Sequence, residues 1–161
     1  MQTLLNFDSR SFTSGKTKPL KVGVFGSRSL ADERVEITIL EILQKLNPTK
    51  VLTCQEPRGV SEVAQKICKK YGYPLQLHFL NMQYLRGAFE QRSLEIIKEA
   101  DYFIIIHDGK SKGTANEMKL VERYKKPFEY IVLEESPYDK SVGFNVTDEW
   151  GGDDEEKSWD D

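Results

Sequence analysis

The sequence predicts an α/β protein, a Rossmann-like three-layer sandwich built on a five-stranded parallel sheet. Three observations predict it. Short β-forming runs alternate with segments of helical periodicity for five rounds, as repeated strand–helix–strand units require. The run Phe103-Ile104-Ile105-Ile106 is continuously apolar, as a strand covered by helices on both faces must be. Glycine-bearing turns follow two of the strand candidates, at Gly26 and between Gly109 and Gly113. Such turns deliver helix N-termini, where backbone N–H groups and the helix dipole favour an anion. Right-handed crossovers leave few topologies, and the expected strand order is 3-2-1-4-5. A ligand would then sit beyond the carboxyl ends of strands 1 and 4, at the switch point.

Each element follows from its residues. Lys21 to Phe25 is β-rich and ends at Gly26-Ser27-Arg28. Val35, Ile39, Ile42, Leu43 and Leu46 mark one face of a first helix, with Ser29 or Asp32 as its cap and Asn47-Pro48 as its stop. Val51 to Thr53 is a short second strand. The second helix sets Val60, Val63, Ala64, Ile67, Cys68 and Tyr71 on its inner face and stops at Gly72. Leu75 to Leu80 is the third strand, and Phe89, Ser93, Ile96, Ile97 and Ala100 line the third helix. Asp101 to Ile106 is the fourth strand. The fourth helix starts near Thr114, buries Met118 and Val121, and stops before Pro127. Phe128 to Leu133 is the fifth strand.

This divides the chain into an N-terminal extension (1–19), one domain (20–134) and an acidic tail (135–161). The 161 residues are 39% hydrophobic and 30% charged, a globular balance. No apolar run approaches the roughly 20 residues that cross a bilayer, and the N-terminus lacks a signal-peptide core. A cytoplasmic location with no membrane partner is expected. Cys54 and Cys68 have no metal-ligand spacing, so free thiols are expected, with no metal and no cofactor. Asp148 to Asp161 holds eight acidic residues and one Lys, a net −7, so the remainder is +4 against the chain's −3. No basic stripe is interleaved with aromatics, which makes nucleic acid an unexpected partner. Trp150 and Trp159 in the tail suit either a solubilising segment or a docking peptide for a protein partner.

Two stretches could carry chemistry. In Gly26-Ser27-Arg28 the glycine permits a tight turn, the serine can donate to a phosphate and the arginine can bind one bidentately. An ordinary strand-to-helix turn suits the same residues. In Asp108-Gly109-Lys110-Ser111-Lys112-Gly113-Thr114, two glycines, two hydroxyls and two lysines precede a helix N-terminus. Asp108 or Glu117 could bind ribose hydroxyls or act as acid or base. The alternative is a solvated turn capped by Asp and Thr. Thr53, Arg58 and Gly59 belong to the neighbouring rim loop. Arg92, among the apolar positions of the third helix, is either salt-bridged or facing a ligand. His78 and His107 read as structural residues at strand ends.

With those residues in view, the chain from about Lys21 to Leu133 resembles the SLOG superfamily. This Rossmann-like group includes the Lonely Guy phosphoribohydrolases, the DNA-processing DprA/Smf domain and the YspA-like proteins, the last looking most similar. Gly26-Ser27-Arg28 is similar to the YspA-like first-strand signature, and Asp108-Gly109-x-Ser111-x-Gly113-Thr114 to its fourth-strand signature. The resemblance implies a sensor or binding module for a nucleotide or nucleotide-derived ligand, and a homodimer. It also implies an alternative. Arg92 and Glu117 fall where the Lonely Guy pattern places its arginine and glutamate, so Glu117 would assist cleavage of an N-glycosidic bond and Arg92 would bind phosphate or substrate. A single-stranded DNA-binding role of DprA type is the weaker alternative. Two departures bear on catalysis. The Pro-Gly-Gly turn is His107-Asp108-Gly109 here. The Thr-Gly-Gly-Ala stretch after strand 2 is Thr53-Cys54-Gln55-Glu56-Pro57, where lost glycines hinder close backbone approach and Glu56 adds a negative charge.

Overall fold

In the computed structural model, which describes residues 19–135, the alternation of short and amphipathic segments becomes a single sheet flanked by helices. Residues 1–18 of the expected extension and 136–161 of the expected tail, with both tryptophans, lie outside the described residues. The strands are β1 (Lys21–Gly26), β2 (Lys50–Cys54), β3 (Leu75–His78), β4 (Tyr102–His107) and β5 (Phe128–Val132). They pair in parallel in the order β3-β2-β1-β4-β5, the order expected. The helices are α1 (Glu33–Leu46), α2 (Val60–Tyr71), α3 (Ala88–Glu99) and α4 (Lys112–Arg123), and a 3-10 turn at Met82–Gly87 leads into α3.

The strand pleat divides the core in two. Val22, Val24, Val51, Ile104 and Ile106 meet Val35, Ile39 and Leu43 of α1 and Val60, Ala64 and Ile67 of α2. Phe25, Leu52, Phe103 and Ile105 meet Ile96 and Ile97 of α3 and Leu120 and Val121 of α4. Alternate side chains of a strand point to opposite faces, so α1 and α2 cover one face and α3 and α4 the other. All of β4 is buried, which is what its isoleucine run requires.

Helix ends follow local chemistry. Asp32, not Ser29, caps α1 by accepting the Arg34 amide. Asn47 closes α1 and Gly72 closes α2 in the left-handed conformation. Several details differ from expectation. Tyr71, at the last position of α2, is 45% exposed, because the helix ends where its face leaves the sheet. The third strand stops at His78, and Phe79 is exposed. α4 begins at Lys112 because the Ser111 hydroxyl accepts the Thr114 amide. Its buried face is then Thr114, Glu117, Leu120 and Val121, with Met118 half-buried.

Two glycines set the position of α2. A Cβ on Gly26 would lie 2.3 Å from Val60 Cβ, so only glycine lets the start of α2 reach β1. Gly59 has φ +84, and its Cβ would fall 2.5 Å from Arg28 Cα. That close approach brings the β2–α2 loop against the β1–α1 loop and forms one wall of the rim.

Candidate functional site

At the carboxyl ends of β1 and β2 lies a cavity of about 20 Å³, lined by Gly26, Arg28, Cys54, Glu56, Arg58, Ser61, Arg92 and Glu117. That volume has room for about one water. Three guanidinium side chains and two carboxylates therefore meet at one point of the rim, on the β1–β2 side of the switch point.

Glu56 stands between two of the arginines. Its Oε2 accepts from Arg92 Nη2 at 2.6 Å and from Arg28 Nη2 at 3.3 Å, and its Oε1 is 3.2 Å from Arg28 Nε. Both guanidiniums also lie over the Phe89 ring, Arg28 at 5.8 Å and Arg92 at 5.4 Å from its centroid, within cation–π range. Arg92 Nη1 donates to the Gln55 carbonyl. Burial opposes the charged form of Arg92, but Glu56, through its charge and its hydrogen bond, together with the charge of Glu117 helps to offset it, and the pKa lies above the ordinary value. Gln65 Nε2 donates to the carbonyls of Cys54 and Glu56, which pins the loop after β2 to α2. Arg92 was expected to be either salt-bridged or ligand-facing. It is ion-paired and also lines the cavity.

Glu117 reaches the same cavity from the first turns of α4. It is buried, and Ser93 Oγ on α3 donates to its Oε2 at 2.9 Å. Burial pushes the Cys54 thiol far up, an effect that Arg92 only partly opposes, so Cys54 is a neutral part of the wall.

The other expected ligand-binding residues hold the rim together from inside. Ser27 is fully buried. Its hydroxyl accepts the Asp108 amide at 3.0 Å and lies 3.3 Å from Thr114 Oγ1. Its carbonyl accepts the amides of Leu30 and Val60. Thr53 is equally buried, donating to the Val24 carbonyl and lying 3.1 Å from Ser61 Oγ. Thr114 is buried between Ser27 and Ser111. These three hydroxyls knit β1, β2, α2 and α4 to one another.

The loop after β4 folds on itself. Asp108 Oδ1 accepts the amides of Lys110 and Ser111 at 2.8 Å, and Oδ2 accepts Ser29 Oγ at 2.6 Å. Burial raises the Asp108 pKa, and these bonds outweigh it and leave the carboxyl below its ordinary value. Gly109 takes φ +85 in this turn, and Gly113 is buried in the first turn of α4. His107 is structural, its two ring nitrogens meeting Tyr130 Oη at 2.7 Å and the Ser111 carbonyl at 2.9 Å.

Sequence reasoning thus names Gly26, Arg28, Arg58, Arg92 and Glu117 among the cavity residues. It gives no site role to Cys54 or Ser61 of the lining, nor to Phe89 under Arg28 and Arg92, and it notes Glu56 only as a charge. The usable signal was position: Cys54 ends β2 at the rim, Glu56 follows two residues later, and Ser61 lies in the first turn of α2. Among the described residues no cluster of three or more metal-ligating side chains occurs, and no helix is long and apolar enough to cross a membrane.

No protein-family model matches the chain, and neither a curated protein nor a solved structure matches it.

Proposed function

We propose that the chain binds a nucleotide or nucleotide-derived ligand at the carboxyl rim of its sheet, as a binding module or sensor of the SLOG type. The observation that carries this reading is the meeting of Arg28, Arg58 and Arg92 with Glu117 in one cavity at the strand ends. Arginines there suit phosphoryl oxygens, because a guanidinium can bind them bidentately. A buried carboxylate suits the hydroxyls of a ribose. The sheet order supports the same reading, since ligands of such folds sit at this rim. The test is a thermal-shift panel of nucleotides and nucleotide sugars. A ligand at about 100 times its Kd should stabilise the fold by about 2.7 kcal/mol. A panel in which no compound shifts the melting temperature sinks the reading.

One observation favours a second reading, an N-glycosidase acting on a nucleoside monophosphate. Glu117 is held by Ser93 and shares the cavity with Arg92. A carboxylate fixed beside an anomeric carbon stabilises an oxocarbenium-like transition state. Incubation with AMP and chromatography for free adenine tests this. Release that persists in Glu117→Gln removes Glu117 from the reaction. The homodimer implied by the resemblance is tested separately by light scattering.

A further inference from the structure

We propose that Glu56 is a built-in competitor for an anion subsite formed by Arg28 and Arg92, and that it decides which anions the site admits. The inference rests on the ligand-binding reading above and specifies one of its subsites. Glu56 takes hydrogen bonds from both guanidiniums at 2.6–3.3 Å. This is the arrangement a ligand phosphoryl or carboxylate would make with the same pair.

Each arginine has support that does not depend on Glu56. Both lie over Phe89, and Arg92 also donates to the Gln55 carbonyl. The subsite therefore keeps its shape when the carboxylate is removed. Arg92 is 5% exposed, and its Nε has no hydrogen-bond partner among the described residues. A buried donor in that state favours an acceptor richer in oxygens than one carboxylate.

Space and charge decide how an anion enters. The adjoining cavity, about 20 Å³, has room for about one water and not for a phosphoryl group. The position that fits a phosphoryl group is the one the Glu56 carboxylate now holds. Arg28, Arg58 and Arg92 against Glu56 and Glu117 leave the cavity one positive charge in excess, and a phosphate dianion in the place of the Glu56 carboxylate brings it to neutrality. The Glu56 backbone is held separately, through Gln65 to the carbonyls of Cys54 and Glu56 and through the Gln55 amide to the His78 carbonyl. Side-chain rotation alone can vacate the subsite, and the loop stays in place.

The experiment titrates inorganic phosphate, pyrophosphate and AMP into the full chain by calorimetry, at one ionic strength, for wild type and Glu56→Gln. Removing a like charge from an anion site should tighten phosphate and pyrophosphate by roughly tenfold or more. Phosphate should also raise the melting temperature of Glu56→Gln more than that of wild type, as it replaces the missing carboxylate. Adding Arg28→Met should cancel the gain. If Glu56→Gln does not fold, Glu56→Asp retains the charge but shortens the reach to Arg92, and a smaller gain is expected. AMP binding with equal affinity in wild type and variant overturns the role of Glu56 and leaves the ligand reading standing. Absence of binding by all three anions to both proteins overturns the subsite, and the panel of nucleotides and nucleotide sugars then decides the ligand reading by itself.

Discussion

Ser93 on α3 donates its hydroxyl to Glu117 Oε2 on α4 at 2.9 Å, with both side chains buried. The bond joins the two helices that cover one face of the sheet, and it fixes the carboxylate that reaches the cavity. Ser93→Ala removes a hydrogen bond to a buried charged group, which costs about 1.5–3 kcal/mol. Urea unfolding should show that loss. In the double variant Ser93→Ala with Glu117→Gln the two effects should be strongly non-additive. Additive losses would mean that the pair contributes no mutual stabilisation.

Gly26→Ala should be among the most damaging single changes. The added methyl would lie 2.3 Å from Val60 Cβ and 2.5 Å from both Val60 γ-carbons, a contact that real side chains do not make. Forcing the start of α2 away from β1 costs about 3 kcal/mol and separates the walls of the rim. Trimming Val60 to Ala should give little relief, because the nearest atom is Cβ itself. Val60→Gly removes that atom, so a double-mutant cycle should show clear positive coupling for Gly26→Ala with Val60→Gly. Equal coupling for both partners would place the clash elsewhere.

The sheet order was legible because its signals are local and repeated. The Ile104–Ile106 run could only be an interior strand, and the helical faces led by Val35, Ile39 and Leu43 and by Val60, Ala64 and Ile67 are buried as read. The site was half legible. Gly26-Ser27-Arg28 looks the same in sequence whether Ser27 faces a phosphate or the Asp108 amide. The choice depends on how α2 and α4 pack, which joins positions 27, 60, 108 and 114. Glu56 was visible as a charge. Its pairing with residues 28 and 92 was not, because nothing in the chain's order brings those three together before the sheet forms.

At the opposite end of the sheet, Glu99 makes stability depend on acid. Lys50 Nζ donates to its Oε2 at 2.9 Å and Gln76 Nε2 to its Oε1 at 2.9 Å, and Lys21 Nζ lies 3.7 Å away. The Lys50 hydrogen bond, followed by that of Gln76, lowers the carboxyl from its ordinary 4.5 to about 2. The folded carboxylate is thus stabilised relative to the unfolded one. Its contribution is fully present above the unfolded value of 4.5 and is lost as the pH falls from there towards 2. Stability measured by urea from pH 6 to pH 2 should fall more steeply in wild type than in Glu99→Gln. Parallel curves would show that the network does not hold Glu99 ionised.

Cys54 offers a readout of the cavity itself. Burial pushes both thiols up, Cys68 to about 11 and Cys54 further, despite Arg92 beside Cys54. Both cysteines are buried and stay protonated near pH 8, and a protonated thiol is a poor nucleophile. Maleimide labelling followed by mass spectrometry should therefore be slow at both positions in the native protein and fast after unfolding in urea. The two thiols lie on opposite faces of the sheet, Cys54 against the α3–α4 core and Cys68 against the α1–α2 core. Only Cys54 lines the cavity. A ligand that enters there should slow labelling of Cys54 through local opening and leave Cys68 at its own rate. Rapid labelling of Cys54 in the native protein, at the rate of an exposed thiol, would show that the wall between β2 and α3 is open in solution.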